Sequence, residues 1–345
     1  FSTPPPAPPI LSGLVGSEMC IRDRSNKSRK IIDTDFPIEN KFDELKKIRT
    51  NKNPVAFLSI QEGCDKFCSF CVVPYTRGAE YSRPVLDIIS EAKNLIQQGA
   101  KEICLLGQNV NAYHGDFRGK TLSLDELIKE VANLSGIKRI RYMTSHPVDM
   151  TEGLIDAHGK VDKLMPYIHL PVQSGDNNVL KSMNRKYSAE NYMKIIDKLK
   201  NVREDMAFSS DFIVGFPGET KQAFNNTLKL VHNVNYCQAY SFKYSRRPGT
   251  PGSILQGQVS EEIKTERLAE LQGVLNEQQL NFNRKFIGQK IDILLERKGK
   301  KDNQLVGKSP YMQAVHVISK DHKIGDIIKT HILDADKNSL EGNYE

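Results

Sequence analysis

Three cysteines in one short run carry the most chemical information in this chain. Cys64, Cys68 and Cys71 stand in the segment GCDKFCSFC, with three residues between the first two and two between the last two. Cysteine thiolates at such close spacing are typical ligands of an iron–sulfur cluster. Three thiolates on a 4Fe–4S cluster leave the fourth iron without a protein ligand, and that iron can bind a small chelating molecule. The run therefore predicts an iron–sulfur site that is open to a ligand.

Zinc and a disulfide are the alternatives for these cysteines. A structural zinc site commonly takes four ligands, often as two pairs of cysteine or histidine. The nearest later candidates, Cys104 and His114, match no such spacing. Disulfides are unusual in a chain of 345 residues that has six cysteines and no secretory signal pattern. The iron–sulfur interpretation is therefore favoured, and zinc stays open as the alternative.

The elements that must position this loop alternate between strands and helices. The strand-like segment VAFLSI, residues 55–60, leads into the cysteine loop, and a helix with Ile88, Ala92 and Leu95 on one face follows it. The same cycle recurs until six strand–helix units are complete, which predicts an α/β fold with a parallel sheet. Functional loops of such folds lie at the carboxyl ends of the strands. We therefore expect the cysteine loop at one mouth of a barrel.

The pattern changes after about Glu261. A long polar helix runs toward Phe282, and the segment from Ile291 onward alternates like short strands joined by basic turns. This pattern predicts a small antiparallel β-barrel, a shape that often binds RNA. The net charge of +7 is compatible with a polyanionic partner but does not require one. No apolar run approaches the length of a membrane span, so we expect no membrane association.

The longer motifs resemble a known family. The segments GCDKFCSFCVVPYTRGAEYSRP, LLGQNVNAY, HLPVQSGDNNVLKSMNR, DFIVGFPGET and FKYSRRPGTPG together resemble the methylthiotransferase family of radical-SAM enzymes, and the carboxyl-terminal piece resembles a TRAM domain. The resemblance implies a partial (β/α)6 TIM-like radical-SAM barrel at residues 53–281. A small antiparallel TRAM barrel that binds RNA is expected to follow at residues 282–345.

The resemblance also implies a reaction. A [4Fe-4S] cluster on the three cysteines reduces S-adenosyl-L-methionine (SAM) in this family and frees a deoxyadenosyl radical, while a second, auxiliary [4Fe-4S] cluster supplies sulfur. The segments VVPYTRG and GQNVNAY favour the members that add a 2-methylthio group to N6-isopentenyladenosine next to the anticodon of tRNA. Relatives that act on threonylcarbamoyladenosine or on a ribosomal protein stay open as alternatives.

The same resemblance implies the partners and the compartment. We expect the anticodon loop of tRNA as substrate and a reducing protein such as flavodoxin or ferredoxin as electron donor, with no role for DNA. Free thiols and an RNA partner favour a cytoplasmic location.

One part of the family pattern is absent from the sequence. The auxiliary cluster requires three further cysteines before the radical-SAM loop, and only Cys20 stands there. Residues 1–28 are proline-rich at their start and aperiodic, so we interpret them as non-native or disordered. Residues 29–52 are interpreted as a linker remnant of a missing auxiliary-cluster domain. Cys104 and Cys237 are interpreted as core thiols.

This gap limits the expected activity. If the chain is the whole molecule, we expect SAM cleavage, while complete methylthiolation stays open. A tRNA-binding iron–sulfur module without turnover is the alternative from another functional class.

Further candidate residues lie in the loops that follow the strands. The candidates for contact with SAM or substrate are Phe70, Gly107, Gln108, Asn109, Gln173, Ser174 and Asp211. The candidates for RNA binding are Arg246, Arg247, Lys298, Lys300, Lys301, Lys308 and Tyr311. Ordinary turns and solvated lysines have a similar composition, so each assignment has a structural alternative. His146 and His169 are interpreted as structural or pocket-lining rather than as metal ligands.

Overall fold

A computed structural model describes residues 53–344 of the chain. Its first part contains six strands that run parallel and neighbour one another in chain order. They are β1 (Val55–Ser59), β2 (Glu102–Leu106), β3 (Arg139–Met143), β4 (Tyr167–His169), β5 (Ala207–Val214) and β6 (Gln238–Lys243). The strands β1–β3 and β4–β6 form two sheets, which the parallel bridge between Ile140 and Leu164 joins. The expected α/β fold with a partial barrel is confirmed.

Helices occupy most of the connections between these strands. They are α1 (Val73–Arg77), α2 (Val85–Gln97), α3 (Leu124–Ala132), α4 (Glu152–Lys160), α5 (Asn177–Ser182), α6 (Ala189–Val202), α7 (Lys221–Val234) and α8 (Glu261–Arg284). Four of these helices have a hydroxyl side chain at the N-cap. Each side chain accepts a hydrogen bond from a backbone N–H of the first turn, and the four residues are Thr151, Ser188, Thr220 and Ser260. Such a cap stabilises a helix by about 1 kcal/mol.

Alternation along the strands gives the sheets two different faces. On β3, Ile140 and Tyr142 belong to the main hydrophobic core, to which the helices also contribute. Arg141 alternates with them and therefore lies on the face that the helices leave uncovered. On the strands β1 and β6 this uncovered face carries Phe57 and Phe242, which are more than half exposed. The uncovered face thus combines buried polar groups with exposed aromatic rings.

Two antiparallel hairpins shape the loops near the ends of the strands. Gln61–Glu62 pairs with Tyr81–Ser82 and closes the base of the cysteine loop. His114–Phe117 pairs with Lys120–Ser123 in the connection that follows β2. The cysteine loop is therefore held at its base by its own backbone pairing.

The last part of the chain forms a closed barrel of five strands. They are β7 (Lys290–Lys298), β8 (Gln304–Lys308), β9 (Ala314–Ile318), β10 (Ile327–Ala335) and β11 (Ser339–Tyr344). Alternating residues such as Val315, Val317 and Leu340 are buried in its own hydrophobic core. The expected small antiparallel barrel is confirmed, except that β9 and β11 pair in parallel because β10 crosses to β7 before β11 returns.

The turn between β8 and β9 packs against the uncovered face of the first sheets. Arg141 donates hydrogen bonds from Nη1 to the carbonyl of Pro310 at 2.7 Å and from Nη2 to that of Ser309 at 2.9 Å. Arg139 donates from Nη1 to the carbonyl of Lys308 at 2.9 Å. Arg139 and Arg141 of the first barrel therefore donate hydrogen bonds to backbone carbonyls at the turn between β8 and β9 of the second barrel.

One of the expected domain boundaries lies inside the part of the chain that the structure describes. The segments 1–28 and 29–52 lie outside the described residues. The boundary expected after residue 281 falls in the last turn of α8, which ends at Arg284. Among residues 53–344, no helix is both long enough and apolar enough to cross a membrane.

Candidate active site

The three cysteines lie in the loop between β1 and α1, at the carboxyl end of the strand. Cys68 is buried, Cys64 and Cys71 are half-buried, and all three are free thiols. Burial, with smaller contributions from the neighbouring Cys68 and Cys71, raises the pKa of Cys64 to about 11. The three sulfur atoms thus lie close enough to interact. Because thiols with raised pKa values are protonated near pH 7, iron would displace protons on binding.

The cysteine loop supplies three thiol donors within one short segment. Within residues 53–344, no three His, Cys, Asp or Glu side chains converge on one point where a metal ion could bind. The ligands of a 4Fe–4S cluster bind separate irons and therefore stand farther apart than the ligands of one zinc ion. Two N–H groups also point at the sulfurs, from Val73 to Cys71 Sγ and from Arg185 to Cys68 Sγ, each at 3.4 Å. Such N–H···S bonds tune iron–sulfur clusters.

The loop after β2 braces the entrance of the cysteine loop. Gly63 has a φ of +78°, and an added Cβ would stand 2.0 Å from the Ala79 carbonyl oxygen, so only glycine fits there. The Gly63 N–H donates to Gln108 Oε1 at 2.7 Å. Gln61 donates from Nε2 to the Gly63 carbonyl at 2.9 Å, and a Cβ on Gly107 would stand 2.4 Å from Gln61 Oε1. Gly107 and Gln108 therefore position the cysteine loop directly.

Asn109 continues this brace and leaves one acceptor free. Its backbone N–H donates to Gln61 Oε1 at 3.1 Å, and its Nδ2 donates to Asp149 Oδ2 at 2.8 Å. Asp149 also pairs with Lys66 of the cysteine loop at 2.8 Å. The buried Asn109 Oδ1 has no hydrogen-bond partner among the residues that the structure describes. A buried acceptor without a donor is a position where the amino group of a ligand can bind.

Phe70 packs against an apolar cluster beside the cysteine loop. The ring is half-buried, and the cluster contains Val179, Met183, Phe216 and Tyr244. These residues come from three later segments of the chain, so the cluster forms only in the folded protein. An apolar ring of this kind suits contact with the flat face of a nucleobase.

Gln173 and Ser174 are buried in the loop that follows β4. Gln173 has a φ of +73°, and its backbone N–H donates to the Asp211 carbonyl at 2.9 Å. The Ser174 hydroxyl is fully buried, accepts the Asp176 N–H at 3.2 Å and contacts the Thr227 hydroxyl at 3.3 Å. The hydroxyl of Ser174 is therefore occupied in holding the loop.

Asp211 belongs to a polar group on the uncovered face of the sheet. Its Oδ2 lies 3.5 Å from His169 Nε2, and His169 Nδ1 lies 3.0 Å from the Ser209 hydroxyl. The Tyr240 ring stands edge-on to His169, with 6.3 Å between the ring centroids. His169 is 8% exposed, as expected for a structural or pocket-lining residue, whereas 30% of the Asp211 side chain stays accessible to a ligand.

His146, interpreted as structural, is buried near the Asn109 loop. Its Nδ1 accepts the Val148 N–H at 3.2 Å. Burial, helped by the charge of Arg185, lowers the pKa of His146 to about 2, so the ring is neutral.

A segment that the sequence analysis missed holds the outer side of the cysteine loop. We call residues 182–185 the bracket. The Ser69 N–H donates to the Met183 carbonyl at 3.0 Å and the Ser69 hydroxyl to the Ser182 carbonyl at 2.7 Å. Asn184 donates from Nδ2 to the Phe67 carbonyl at 2.9 Å. The bracket stands within the motif HLPVQSGDNNVLKSMNR, which is the one sequence signal that pointed to it.

Arg246 and Arg247 are exposed in the loop after β6. This loop touches the cysteine loop, since the Gly252 N–H donates to the Ser69 carbonyl at 2.7 Å. Burial raises the pKa of Cys71, and the charges of Arg185 and Arg247 oppose that rise. Arg247 therefore lies near the sulfur atoms, with its side chain accessible to an anion.

The lysine candidates are at the surface of the second barrel. Lys298, Lys300 and Lys301 are exposed around the turn from β7 to β8. Lys308 is half-buried, and its Nζ lies 3.4 Å from the carbonyl of Met312. The first three are therefore more accessible to RNA than the fourth.

The Tyr311 side chain makes ring contacts and a hydrogen bond within the protein. Its ring packs on Phe282 and Phe286, with centroid distances of 5.9 and 5.0 Å. Its hydroxyl donates to Asp205 Oδ2 at 3.0 Å. The half-buried ring thus contributes to packing, and a role in base stacking stays a prediction.

The fold and the site together define the class of this protein. The chain matches the Radical SAM superfamily over residues 58–231 and the TRAM domain over residues 284–344. The cysteine loop lies at the start of the first match, and the closed five-stranded barrel coincides with the second. These features define a radical-SAM enzyme with a carboxyl-terminal TRAM domain.

Curated relatives narrow the class. The chain is 54% identical over 318 residues to the tRNA-2-methylthio-N(6)-dimethylallyladenosine synthase of Sphingopyxis alaskensis. The aligned region covers 92% of this chain and 72% of that protein. It is 55% identical over 329 residues to the synthase of the same name from Wolbachia pipientis subsp. Culex pipiens, covering 94% and 74%. The chain belongs to the family of tRNA-2-methylthio-N(6)-dimethylallyladenosine synthases, and the resemblance drawn from the motifs is confirmed.

Among solved structures, the chain is similar to coproporphyrinogen III oxidase from Escherichia coli, a radical SAM enzyme. The TM-score is 0.48 at 14% identity, over 83% of this chain and 68% of that one.

Proposed function

We propose that this protein adds a 2-methylthio group to N6-dimethylallyladenosine next to the anticodon of tRNA. The observation that carries the proposal is the cysteine loop, whose three thiols lie in one segment at the carboxyl end of β1, between the brace after β2 and the bracket. The printed names of the relatives support this nucleoside as the substrate. A flat base that leaves the anticodon loop suits the uncovered face of the sheets, where exposed aromatic rings stand near Asp211.

We assign the cluster and SAM to groups in the loops that follow β1 and β2. Cys64, Cys68 and Cys71 hold the [4Fe-4S] cluster. When bound, cluster and SAM supply the removal of a hydrogen atom from an unreactive carbon. Phe70 contributes an apolar ring for contact with the SAM adenine, and Asn109 accepts a hydrogen bond from the SAM amino group.

The remaining candidates orient these groups. Gly107 and Gln108 fix the cysteine loop, Ser174 fixes the turn that presents Gln173, and Asp211 accepts a hydrogen bond from a ligand hydroxyl or amino group. The buried walls of the loop keep water from the reacting carbon.

The family resemblance also implies a second, auxiliary [4Fe-4S] cluster. Within residues 53–344, the cysteines beyond the loop are Cys104 and Cys237, both buried. Both thiols belong to the buried core, and burial raises the pKa of each to about 12. The auxiliary cluster, which supplies the sulfur in this family, therefore has no assigned ligands among residues 53–344.

The partners follow from charge and from the domain order. We propose residues 53–281 as the radical-SAM core and residues 282–345 as the RNA-binding barrel. The backbone of tRNA contacts basic side chains, namely the exposed Arg246, Arg247, Lys298, Lys300 and Lys301 and the half-buried Lys308, with Tyr311 at the edge of this surface. A reducing protein such as flavodoxin or ferredoxin supplies the electron, and the reaction takes place in the cytoplasm.

Anaerobic reconstitution tests the proposal in two steps. Iron and sulfide per chain, the EPR spectrum of the reduced protein and its change on adding SAM test the cofactor assignment. The formation of 5′-deoxyadenosine and the mass of the modified tRNA nucleoside then test the reaction. Cys64→Ala should abolish cluster and SAM cleavage, whereas Cys104→Ala removes a thiol from the core and should keep both.

The outcomes separate the alternatives. Zinc without iron would refute the cofactor assignment. A full cluster without SAM cleavage would favour a tRNA-binding module that has no turnover. SAM cleavage with modification of threonylcarbamoyladenosine or of a ribosomal protein would keep the chemistry and change the substrate.

A further inference from the structure

An exposed aromatic pair stands on the outer side of the cysteine loop. Phe67, the residue before Cys68, and Tyr75 of α1 are each 49% exposed. Their rings meet edge to face, with 6.0 Å between the ring centroids. Aromatic side chains are enriched at the centres of protein–protein interfaces. Two adjoining exposed rings are therefore a candidate contact surface for another protein.

The backbone holds the Phe67 ring in this exposed position. Phe67 has a φ of +48°, a conformation that bulky residues rarely adopt. Asn184 of the bracket secures it, because its Nδ2 donates to the Phe67 carbonyl at 2.9 Å. Strained backbone of this kind persists where the surrounding structure enforces it, often at sites of function. The exposure of the ring is thus built into the loop.

Exposed cations lie in the segments that contact the cysteine loop. Lys181 and Lys186 stand directly before and after the bracket, and both are exposed. Arg247, in the loop after β6, is exposed as well. These cations outweigh the exposed carboxylate of Asp65, whose Oδ1 also accepts the Glu80 N–H at 3.2 Å. The surroundings of the aromatic pair therefore suit an acidic partner.

We propose that Phe67 and Tyr75 form the docking surface for a small acidic one-electron carrier that reduces the cluster. The inference rests on the cofactor part of the proposed function and adds the place where the electron enters. Electron transfer slows steeply with distance, and Phe67 is covalently next to Cys68. A carrier that covers the pair thus comes close to the sulfur atoms. The carrier loses one electron and the cluster gains it, and no bond of this chain is made or broken.

The geometry of the pair favours such a carrier over RNA. The ring planes of Phe67 and Tyr75 lie at 80° to each other, so the edge of one ring covers part of the face that a base would need for stacking. Encounters between electron-transfer proteins bury a small area, which a patch of two rings with a charged rim can provide.

Three variants test the contact and its charge. Phe67→Asn removes the ring and introduces a residue that tolerates positive φ. Tyr75→Ala removes the second ring at an exposed position. The double variant Lys181→Glu with Lys186→Glu reverses the charge on both sides of the bracket.

The matched control lies in the second barrel. It is the double variant Ile318→Ala with Lys320→Glu, because Ile318 is 48% exposed and Lys320 is exposed beside it. The control removes an apolar side chain and reverses a charge far from Cys68 in the chain.

Reduced flavodoxin is the probe. Its affinity for the iron-loaded protein is measured by isothermal titration calorimetry, and the rate of cluster reduction by stopped-flow absorbance. Dithionite is the second reductant, since a small molecule needs no docking surface. Iron content, thermal unfolding and tRNA affinity are measured on every variant.

We expect Phe67→Asn and Tyr75→Ala each to raise the dissociation constant for flavodoxin roughly tenfold, as for an aromatic residue at the centre of an interface. Reduction by flavodoxin should slow, while reduction by dithionite keeps the wild-type rate. Charge reversal should lower the association rate at low salt, and the difference should shrink at high salt because exposed charges are screened. The control should keep the wild-type values.

Wild-type affinity for flavodoxin in both iron-loaded ring variants overturns the proposal, as does an equal loss in the control. A loss of tRNA affinity with unchanged flavodoxin affinity also overturns it and assigns the rings to RNA. If Phe67→Asn loses its iron, Tyr75→Ala decides by the same criterion. Absence of iron from the wild-type protein refutes the cofactor assignment instead, so the two failures are distinguishable.

Discussion

Replacing Arg141 by methionine should weaken the contact between the two barrels and lower the free energy of unfolding of the protein. Arg141 is 2% exposed and pairs from Nε with Glu102 Oε1 at 2.9 Å. Its other nitrogens donate to the carbonyls of Ser309 and Pro310. The substitution leaves the buried Glu102 carboxylate without its cation and two carbonyl groups without their donors.

The magnitude follows from these three losses. Removing one partner of a buried ion pair costs about 3–5 kcal/mol. A buried carbonyl without a donor adds roughly 1–3 kcal/mol, part of which water offsets when it enters the gap. We expect the free energy of unfolding to fall by about 4–6 kcal/mol, a large share of the roughly 5–15 kcal/mol that stabilises a native protein.

Urea unfolding followed by far-UV circular dichroism measures this change, since the chain contains no tryptophan for fluorescence. The double variant Glu102→Leu with Arg141→Met removes both charges and should be more stable than Arg141→Met alone, because no carboxylate is left unpaired. Lys300→Met, at an exposed position, is the control for the loss of a positive charge. An Arg141→Met protein within about 1 kcal/mol of the wild type would refute the reasoning.

Three further predictions concern the cysteine loop, the pH dependence and the second barrel. Gly63→Ala should lose iron, because its Cβ would stand 2.0 Å from the Ala79 carbonyl oxygen; Gly273→Ala, where nothing lies within 4 Å of the added Cβ, is the control. Burial lowers the pKa of His158 to about 3 from 6.5, so the unfolded chain binds more protons between these values. Stability contributed by this ring is present above pH 6.5 and falls as the pH drops toward 3, by up to about 1.4 kcal/mol per pH unit. His158→Asn should therefore flatten the pH dependence of urea unfolding. Alanine at the exposed basic turn should weaken tRNA binding and reduce the salt slope by about 0.7 for each lost phosphate contact, measured at several salt concentrations. The residues to change are Lys298, Lys300 and Lys301.

Each of these has a clear contrary result. A Gly63→Ala protein with a full cluster contradicts the close approach at the loop entrance. An unchanged pH slope in His158→Asn means that other groups dominate the acid response. Tight binding of tRNA with the wild-type salt slope in the lysine variant places the RNA on another surface.

Local features of the fold and site could be predicted because they depend on neighbouring residues. The spacing of Cys64, Cys68 and Cys71 predicted an iron–sulfur loop, and the structure places that loop directly after β1. The expected strand at residues 55–60 corresponds to Val55–Ser59. The strand–helix alternation predicted six strands in a parallel arrangement, since parallel strands with helical crossovers have few possible arrangements.

Partners that are distant in the chain could not be predicted in this way. Arg185 stands 117 residues after Cys68, and no periodicity relates the two. Tyr311 follows a run of basic turns, which suggested a ring for RNA, and its contacts with Phe282, Phe286 and Asp205 could not be predicted from that run. Composition describes the local turn, whereas the contact depends on how the two barrels pack.

The packing of the second barrel on the first also affects when the core can form during synthesis of the chain. The carbonyl of Ser309 that accepts from Arg141 lies 168 residues later in the chain. At roughly 5–20 residues per second, a ribosome needs about 8–34 s to make that interval. During this interval Arg141 and Glu102 face water, because the second barrel that packs against them is not yet complete. The core therefore reaches its final state only when almost the whole polypeptide has been synthesised.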